Sequence, residues 1–409
     1  MVWGKGRCAA AAVVCGVLAG CASSPPPGPA PAPVESIEIP AAPAADPGPR
    51  GGQGPAVQDV PQKSAAAPRR EREARAKIEF LLPERVVRER EAWVDDIAAA
   101  FVALELPASP ENLCAAIAVI EQESGFVADP VVPGLSRMAW KEIEQRRQRY
   151  AIPKLALDAA LARKSGDGRT YKRRIDALRT EREMSELFEE MIDELPGGRL
   201  MLSGFNPVRT GGPMQVSISF AELHARGKPY RGVGRGGVRE AVFTRRGGVH
   251  FGIAHLLDYP ATYSSHLYRF ADFNAGHYAS RNAAFQLAVA RLSGHELVPD
   301  GDLLRYEGGE PSELPSATQK AVLSLSRRLK LDHYEIRAAL RDEKREAFAR
   351  SALYRRVFEL ADRAAGRPVA REALPRIRLK SPKITRKLTT AWFAERVNTR
   401  YGDCLARRG

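Results

Sequence analysis

The sequence predicts a mainly α-helical protein, one helical domain carrying inserted helices and a helical C-terminal extension. Three observations lead there. Trp93, Ile97, Phe101 and Leu104 recur at helical spacing within Glu84 to Leu104 and give one apolar stripe. Ser109-Pro110-Glu111 has the chemistry of a helix start: a capping hydroxyl, a proline at the first helical position and an acid suited to the helix dipole. Helical patterns resume near Gly252 and again after Pro315-Ser316.

Taken in order, residues 1–20 read as a secretory signal: Lys5 and Arg7, a small-apolar run from Cys8 to Leu18, then Leu18-Ala19-Gly20-Cys21. A run of roughly a dozen apolar residues is too short to cross a bilayer core of about 30 Å, which needs about twenty in a helix. The ending resembles the lipobox of bacterial lipoproteins. That resemblance implies acylation of Cys21 and a membrane anchor, with Ala22 and Ser23 favouring the periplasmic face of the outer membrane. An ordinary signal cut nearby, leaving a soluble periplasmic product, is the alternative. Residues 21–75 are rich in Pro, Ala and Gly and poor in large apolar residues, so they read as a disordered tether. Some fifty extended residues would reach on the order of 100 Å.

Residues 76–409 read as one domain. Of five cysteines, Cys8 and Cys15 leave with the signal and Cys21 would be lipidated, so Cys114 and Cys404 remain. Two thiols in an oxidising compartment predict a disulfide, with two separately buried thiols as the alternative. The helix opening at Ser109 runs through Leu113, Ile117 and Ile120 to Glu123, and its alanines let a neighbour approach closely. Charged segments 137–163 and 170–194, joined by the turn-like Ser165-Gly166-Asp167-Gly168, predict an inserted helical pair within an insertion at about 134–205. From Gly204 to Gly248, glycine, arginine and small residues predict loops and short strands. The C-terminal extension covers about 300–409, with a last helix start at Ser381-Pro382 ahead of Ile384, Leu388 and Trp392. No repeat of fixed period is visible.

The chemistry centres on Ile120-Glu121-Gln122-Glu123-Ser124-Gly125-Phe126. Glu121 and Glu123 stand about 160° apart around a helix axis, so one groove cannot take both. They lie on opposite flanks of the apolar stripe, and periodicity alone does not choose between them. Glu123 is nearer the helix C-terminus, which Ser124-Gly125 ends. There the dipole disfavours a carboxylate and raises its pKa, as a general acid requires.

Glu123-Ser124-Gly125-Phe126 resembles the Glu-Ser-x-Phe motif of soluble lytic transglycosylases and their goose-type lysozyme relatives. Gly212-Pro213-Met214-Gln215-Val216 is similar to that superfamily's Gly-x-Met-Gln. Gly252-Ile253-Ala254-His255-Leu256 resembles its Gly-x-x-Tyr-Leu, and Asp272-Phe273-Asn274-Ala275-Gly276 its Ala-Tyr-Asn-Ala-Gly. The four occur in the family's order, over roughly residues 88–290. The whole chain also resembles an uncharacterised group of proteobacterial lipoproteins. The resemblance implies a lysozyme-like fold and a peptidoglycan lytic transglycosylase that cleaves the MurNAc-GlcNAc bond with Glu123 as its single catalytic acid. It further implies that Ser124 orients the acid, that Gln215 and Asn274 offer amide hydrogen bonds, and that Met214 and Phe273 wall the saccharide site. Turn or capping duty for the amides, and plain core for Met214 and Phe273, are the alternatives. Two departures stand out. Roughly 90 positions separate Glu123 from Met214, far beyond the family's short gap, and Phe273 and His255 replace tyrosines.

Lys and Arg total 63 against 49 acidic residues, a net charge of +14 that suits anionic polymers such as peptidoglycan stem peptides and lipid headgroups. Nucleic acid is not an expected partner in this compartment. Basic clusters such as Arg69-Arg70, Arg173-Arg174 and Arg327-Arg328 read as solvated helix faces. Gly232-Val233-Gly234-Arg235-Gly236-Gly237 has the glycine spacing of a dinucleotide loop but no strand before it, so it reads as a flexible loop. No helix-spaced histidine pair with an intervening glutamate supports a zinc site, and no Gly-x-Ser-x-Gly elbow supports a serine hydrolase. His250 and His255 read as a polar face. No metal or cofactor is called for. The rival function is a non-catalytic envelope protein of the same fold that binds glycan.

Overall fold

A computed structural model describes residues 63–84, 87–194, 206–234, 236–307, 310–378 and 388–407. The signal segment, Cys21, most of the tether and Ser381-Pro382 lie outside the described residues. The described chain is mainly α, as its sequence predicts. None of its helices is long and apolar enough to cross a membrane, among the described residues.

Helices α1 (Lys63–Leu81), α2 (Arg90–Ala103) and α3 (Pro110–Glu123) open the fold. Helix α1 begins a dozen residues before the tether was expected to end near 75. The buried stripe itself begins at Ala74, with Ile78, Leu81 and Leu82, and the helix extends ahead of it through polar turns in which Arg69 pairs with Glu73 one turn on, at 2.8 Å. Helix α2 starts at Arg90 rather than near Glu84, and its stripe of Trp93, Ile97 and Phe101, continued by Leu104, is buried. Helix α3 is the centre of the molecule. Ser109 Oγ accepts from the Asn112 N–H to cap it, and every residue from Leu113 to Ile120 is fully buried. A helix apolar on all sides must be surrounded, and α3 is enclosed by α1, by α10 (Arg245–Leu257) and by α18 (Thr390–Ala406).

The insertion is a small bundle with its own core rather than a helical pair. It comprises α4 (Leu135–Arg149), α5 (Lys154–Leu161), α6 (Tyr171–Asp176) and α7 (Glu181–Asp193), packed on Leu135, Ile143, Ile175, Phe188 and Ile192. Each expected helix is split for a local reason. Ala151 adopts a left-handed φ of 51° and Pro153 caps α5, which divides the first. Thr180 and Glu183 form a reciprocal capping box, which divides the second. The turn at 165–168 forms as expected, with Asp167 accepting from Ser165 Oγ and the Arg169 N–H.

The glycine-rich stretch holds more helix than its composition predicts. A two-stranded antiparallel hairpin of β1 (Thr210–Gly211) and β2 (Val216–Ser217) is followed by α8 (Ile218–Gly227), α9 (Gly237–Val242) and α10. Then come α11 (His266–Ala275) and α12 (Ala279–Ser293). The C-terminal extension divides in two. A hairpin of β3 (Tyr306–Glu307) and β4 (Glu310–Pro311) leads to α13 (Ala317–Ser324), α14 (Ser326–Leu329), α15 (His333–Leu340), α16 (Ala347–Arg350) and α17 (Ala352–Ala365). These helices build a separate core over α12, around Phe285, Leu303, Phe348 and Phe358. Helix α18 instead returns to the first core and packs along α3 and α11. There Cys114 and Cys404 form the expected disulfide, with Cα atoms 5.5 Å apart.

Candidate active site

Helix α3 delivers Glu123 as its last residue, half-buried, at the edge of the main core. Its sequence neighbour is turned elsewhere: Glu121 faces Arg400 on α18 at 3.7 Å. Two positions on, Glu123 therefore projects from the opposite flank of the helix. Ser124 follows as the C-cap of α3. Its hydroxyl donates to the Ile120 carbonyl at 3.1 Å and closes the helix end. Gly125 and Phe126 then take left-handed φ values of 58° and 62° in succession. For a bulky residue that is an unfavourable backbone, and it is held in place because the buried Phe126 ring packs edge-on against Trp93 at 5.4 Å.

The second motif forms the turn of the β1–β2 hairpin, where the Gln215 N–H donates to the Gly212 carbonyl at 3.0 Å. The hairpin sits directly on α10 because α10 presents glycine. A Cβ at Gly248 would lie 2.4 Å from Pro213 Cδ, and one at Gly252 would lie 2.3 Å from Met214 Sδ. The two glycines, one turn apart, make a trough into which Pro213 and Met214 fit. Glycine here serves close packing, which is why a loop-like composition yields a helix. Gly252→Ala is expected to destabilise the fold by about 1–3 kcal/mol through overpacking, as urea denaturation would measure.

Met214 is fully buried, and with Phe273 it belongs to the cluster that contains Ile120, Phe126 and Ile253. All four motifs thus meet in one core. Met214 is core filling rather than an exposed wall, whereas Phe273 lies at the core's edge against the His255 ring, at 5.0 Å. The two amides are engaged within the fold. Gln215 Nε2 donates to the Gly212 carbonyl at 3.3 Å, and the exposed Asn274 accepts from Thr390 Oγ1 at 2.9 Å.

Two features escaped the sequence reading. Asp272, immediately before Phe273, is fully buried and accepts from Tyr259 Oη, Tyr263 Oη and the Tyr278 and Ser280 N–H groups, at 2.5–3.2 Å. It ties α11 to the start of α12 and so fixes the turn that carries Asn274. Burial pushes its carboxyl up to about 6, while the hydrogen bonds from Tyr263 and Ser280 pull the other way. The second is a column of rings. Phe220 meets His255 at 4.5 Å, His255 stacks on His277 at 4.6 Å, and His277 stacks on Tyr259 at 4.0 Å. His255 and His250 are therefore interior groups, not a polar face. Burial lowers His255 to about 3 and His250 to about 4. His255 Nε2 bonds the Phe273 carbonyl at 3.2 Å, and His277 Nε2 bonds the His255 carbonyl at 2.7 Å. No cluster of three or more His, Cys, Asp or Glu residues could hold a metal, among the described residues.

The two groups give opposite pH signatures. An acid whose folded pKa is raised contributes stability that is fully present below its ordinary value of 3.8 and is lost as the pH rises through about 6. A histidine held down contributes stability present above 6.5 and lost as the pH falls toward about 4 for His250 and about 3 for His255. Asp272→Asn removes only the first contribution and leaves backbone donors facing an amide, a loss of about 2–4 kcal/mol. The stability gap between wild type and this variant is expected to be widest near pH 4 and to narrow as the pH rises through 6, in denaturation series across pH.

No solved structure matches the chain. It is 49% identical over 319 residues to the uncharacterized protein YaiW of Escherichia coli (strain K12), across 78% of this chain and 86% of that one. A family model described as a protein of unknown function, DUF1615, matches residues 86–407, so it spans α2 to α18 and the four motifs from Glu123 to Gly276. The chain belongs to the DUF1615 family.

Proposed function

We propose that this protein is a lipid-anchored periplasmic lytic transglycosylase that cleaves peptidoglycan glycan strands in a lysozyme-like fold, with Glu123 as its single acid and base. The observation that carries this reading is the position of Glu123. It ends a fully enclosed helix, on the flank away from the Glu121–Arg400 pair, beside the core that joins Met214 and Phe273 to that helix. In this reading Glu123 donates its proton to the glycosidic oxygen between N-acetylmuramic acid and N-acetylglucosamine, and the C1–O bond breaks. The substrate's N-acetyl group stabilises the oxocarbenium-like carbon, so no second carboxylate is required. Glu123, now ionised, takes the proton of the muramic 6-hydroxyl as that oxygen bonds C1, which yields a 1,6-anhydro end. The net charge of +14 favours accumulation on an anionic wall polymer.

The test is a product assay. Incubation of the purified chain with sacculi is expected to release 1,6-anhydromuropeptides, identified by mass. Reducing-end products would make the enzyme a hydrolase, and sacculus binding without any product would make it a glycan-binding envelope protein. Two observations favour that last reading: Phe273 lacks a phenol, and the Gln215 and Asn274 amides already bond within the chain.

A further inference from the structure

A cavity of about 420 Å³ lies where the C-terminal lobe meets the loop after α10, between the first turn of α12 and helices α16 and α17. Arg281 lines it, 5% exposed, with its guanidinium against the rings of Tyr278 at 4.2 Å and Phe348 at 5.1 Å. Every hydrogen bond that this guanidinium makes goes to a neutral oxygen: Asn282 Oδ1 twice, and the carbonyls of Glu343 and Arg345. Those bonds leave one Nη1 hydrogen over. No carboxylate pairs with Arg281 among the described residues, and the nearby Asp272 is already bound by donors of its own. Burial works against the charge, but a guanidinium does not release its proton, so the cation persists without a counter-charge in contact. The other charges around the cavity are already engaged. Arg350 pairs with Glu346, Arg371 holds Asp362 through two bonds, and Glu372 accepts from the Ser264 N–H and hydroxyl. Tyr263 and Tyr354, both half-buried, also line the space. The Tyr354 hydroxyl makes no hydrogen bond among the described residues, and it lies close enough to Arg281 for their charges to interact.

We propose that this cavity binds a single sugar ring that carries one carboxylate. The carboxylate would take the remaining Nη1 hydrogen of Arg281 and the Tyr354 hydroxyl, and so supply the missing counter-charge. The ring would set its C–H face on Tyr263 and Tyr354, while the Glu346–Arg350 pair and Glu372 give its hydroxyls polar partners. Ligand cavities run from roughly 300 to 1,000 Å³, so this one, near the small end, suits one ring rather than a chain. The site is built apart from Glu123 and requires no cleavage. Muramic acid freed of its peptide is a sugar of this kind, since its lactyl carboxylate is then unsubstituted. That identification rests on the glycan-cleaving reading; the pocket chemistry does not.

The experiment is calorimetric titration of the full chain with N-acetylmuramic acid and with glucuronic acid. The comparisons are N-acetylglucosamine, which lacks the carboxylate, and benzoate and acetate, which lack the sugar. At least one sugar acid is expected to bind about tenfold or more tightly than any of the three. Tyr354→Phe keeps the ring and is expected to weaken that binding about tenfold. Arg281→Gln is expected to abolish it; because Arg281 is buried, Tyr354→Phe carries the test should that variant fail to fold. Binding of neither sugar acid, equal binding of N-acetylglucosamine, or an unchanged affinity in Tyr354→Phe would each overturn the proposal. Equal binding of benzoate or acetate would reduce the cavity to a general anion site and overturn it as well. Single sugars offer no glycosidic bond to cut, so the outcome is independent of cleavage. If sacculi are cleaved but no sugar acid binds, only this site falls; if a sugar acid binds yet Glu123→Gln still releases anhydro ends, only the role of Glu123 falls.

Discussion

Glu123→Gln is expected to reduce release of anhydromuropeptides by about 10²–10⁴-fold, the contribution typical of a positioned general acid. Glutamine keeps the shape of the side chain and cannot give up a proton to the leaving oxygen. Because Glu123 is half-buried at the end of α3, the change leaves the fully buried run from Leu113 to Ile120 untouched, and sacculus binding should persist. The same substitution at Glu121 serves as the control. It removes a carboxylate that faces Arg400, so it should affect stability slightly and cleavage hardly at all. Equal activity in wild type and Glu123→Gln, or loss of cleavage only in Glu121→Gln, would remove Glu123 from the mechanism.

The second large effect is on stability. The Cys114–Cys404 bridge closes a loop with a sequence separation of 290 residues, and long loops gain most from closure in the chain-entropy account. Replacing both cysteines by serine is expected to lower the unfolding free energy by about 3–5 kcal/mol. Both positions are fully buried, so part of the loss comes from leaving two hydroxyls in an apolar core. Denaturation of the wild type with and without reductant separates the two parts. The reduced wild type loses the crosslink alone, and the serine variant loses more.

Helix α3 was legible from end to end because its signals are local. Ser109 and Pro110 start it, Ser124 and Gly125 stop it, and the apolar stripe between them is unbroken. The disulfide was legible for a different reason: setting aside the cysteines that read as signal and lipobox residues leaves one pair, Cys114 and Cys404. Helices α8 and α9 and the first half of α10 were not legible, since Gly248 and Gly252 look like loop residues until Pro213 and Met214 are seen against them. The split of the second inserted helix could have been read from Thr180-x-x-Glu183, a capping-box pattern. Asp272 could not, because its donors come from positions 259, 263, 278 and 280, and no spacing rule gathers those into one shell. The engagement of Gln215 and Asn274 within the chain is equally a matter of contacts made after folding.

Leu81, at the end of α1, is where the far end of the fold is fastened. Its carbonyl accepts from Arg407 Nε at 2.8 Å and lies beside Cys404 Sγ at 3.8 Å. Helices α1 and α18 are thereby joined at one point, about one helical turn from the Cys114–Cys404 bridge. A pull on the amino end of α1 would be carried through that joint to α18 and, through the disulfide, to α3. The bundle of α4 to α7 and the lobe of α13 to α17 each keep a core of their own, apart from that joint and from the frame that holds Glu123.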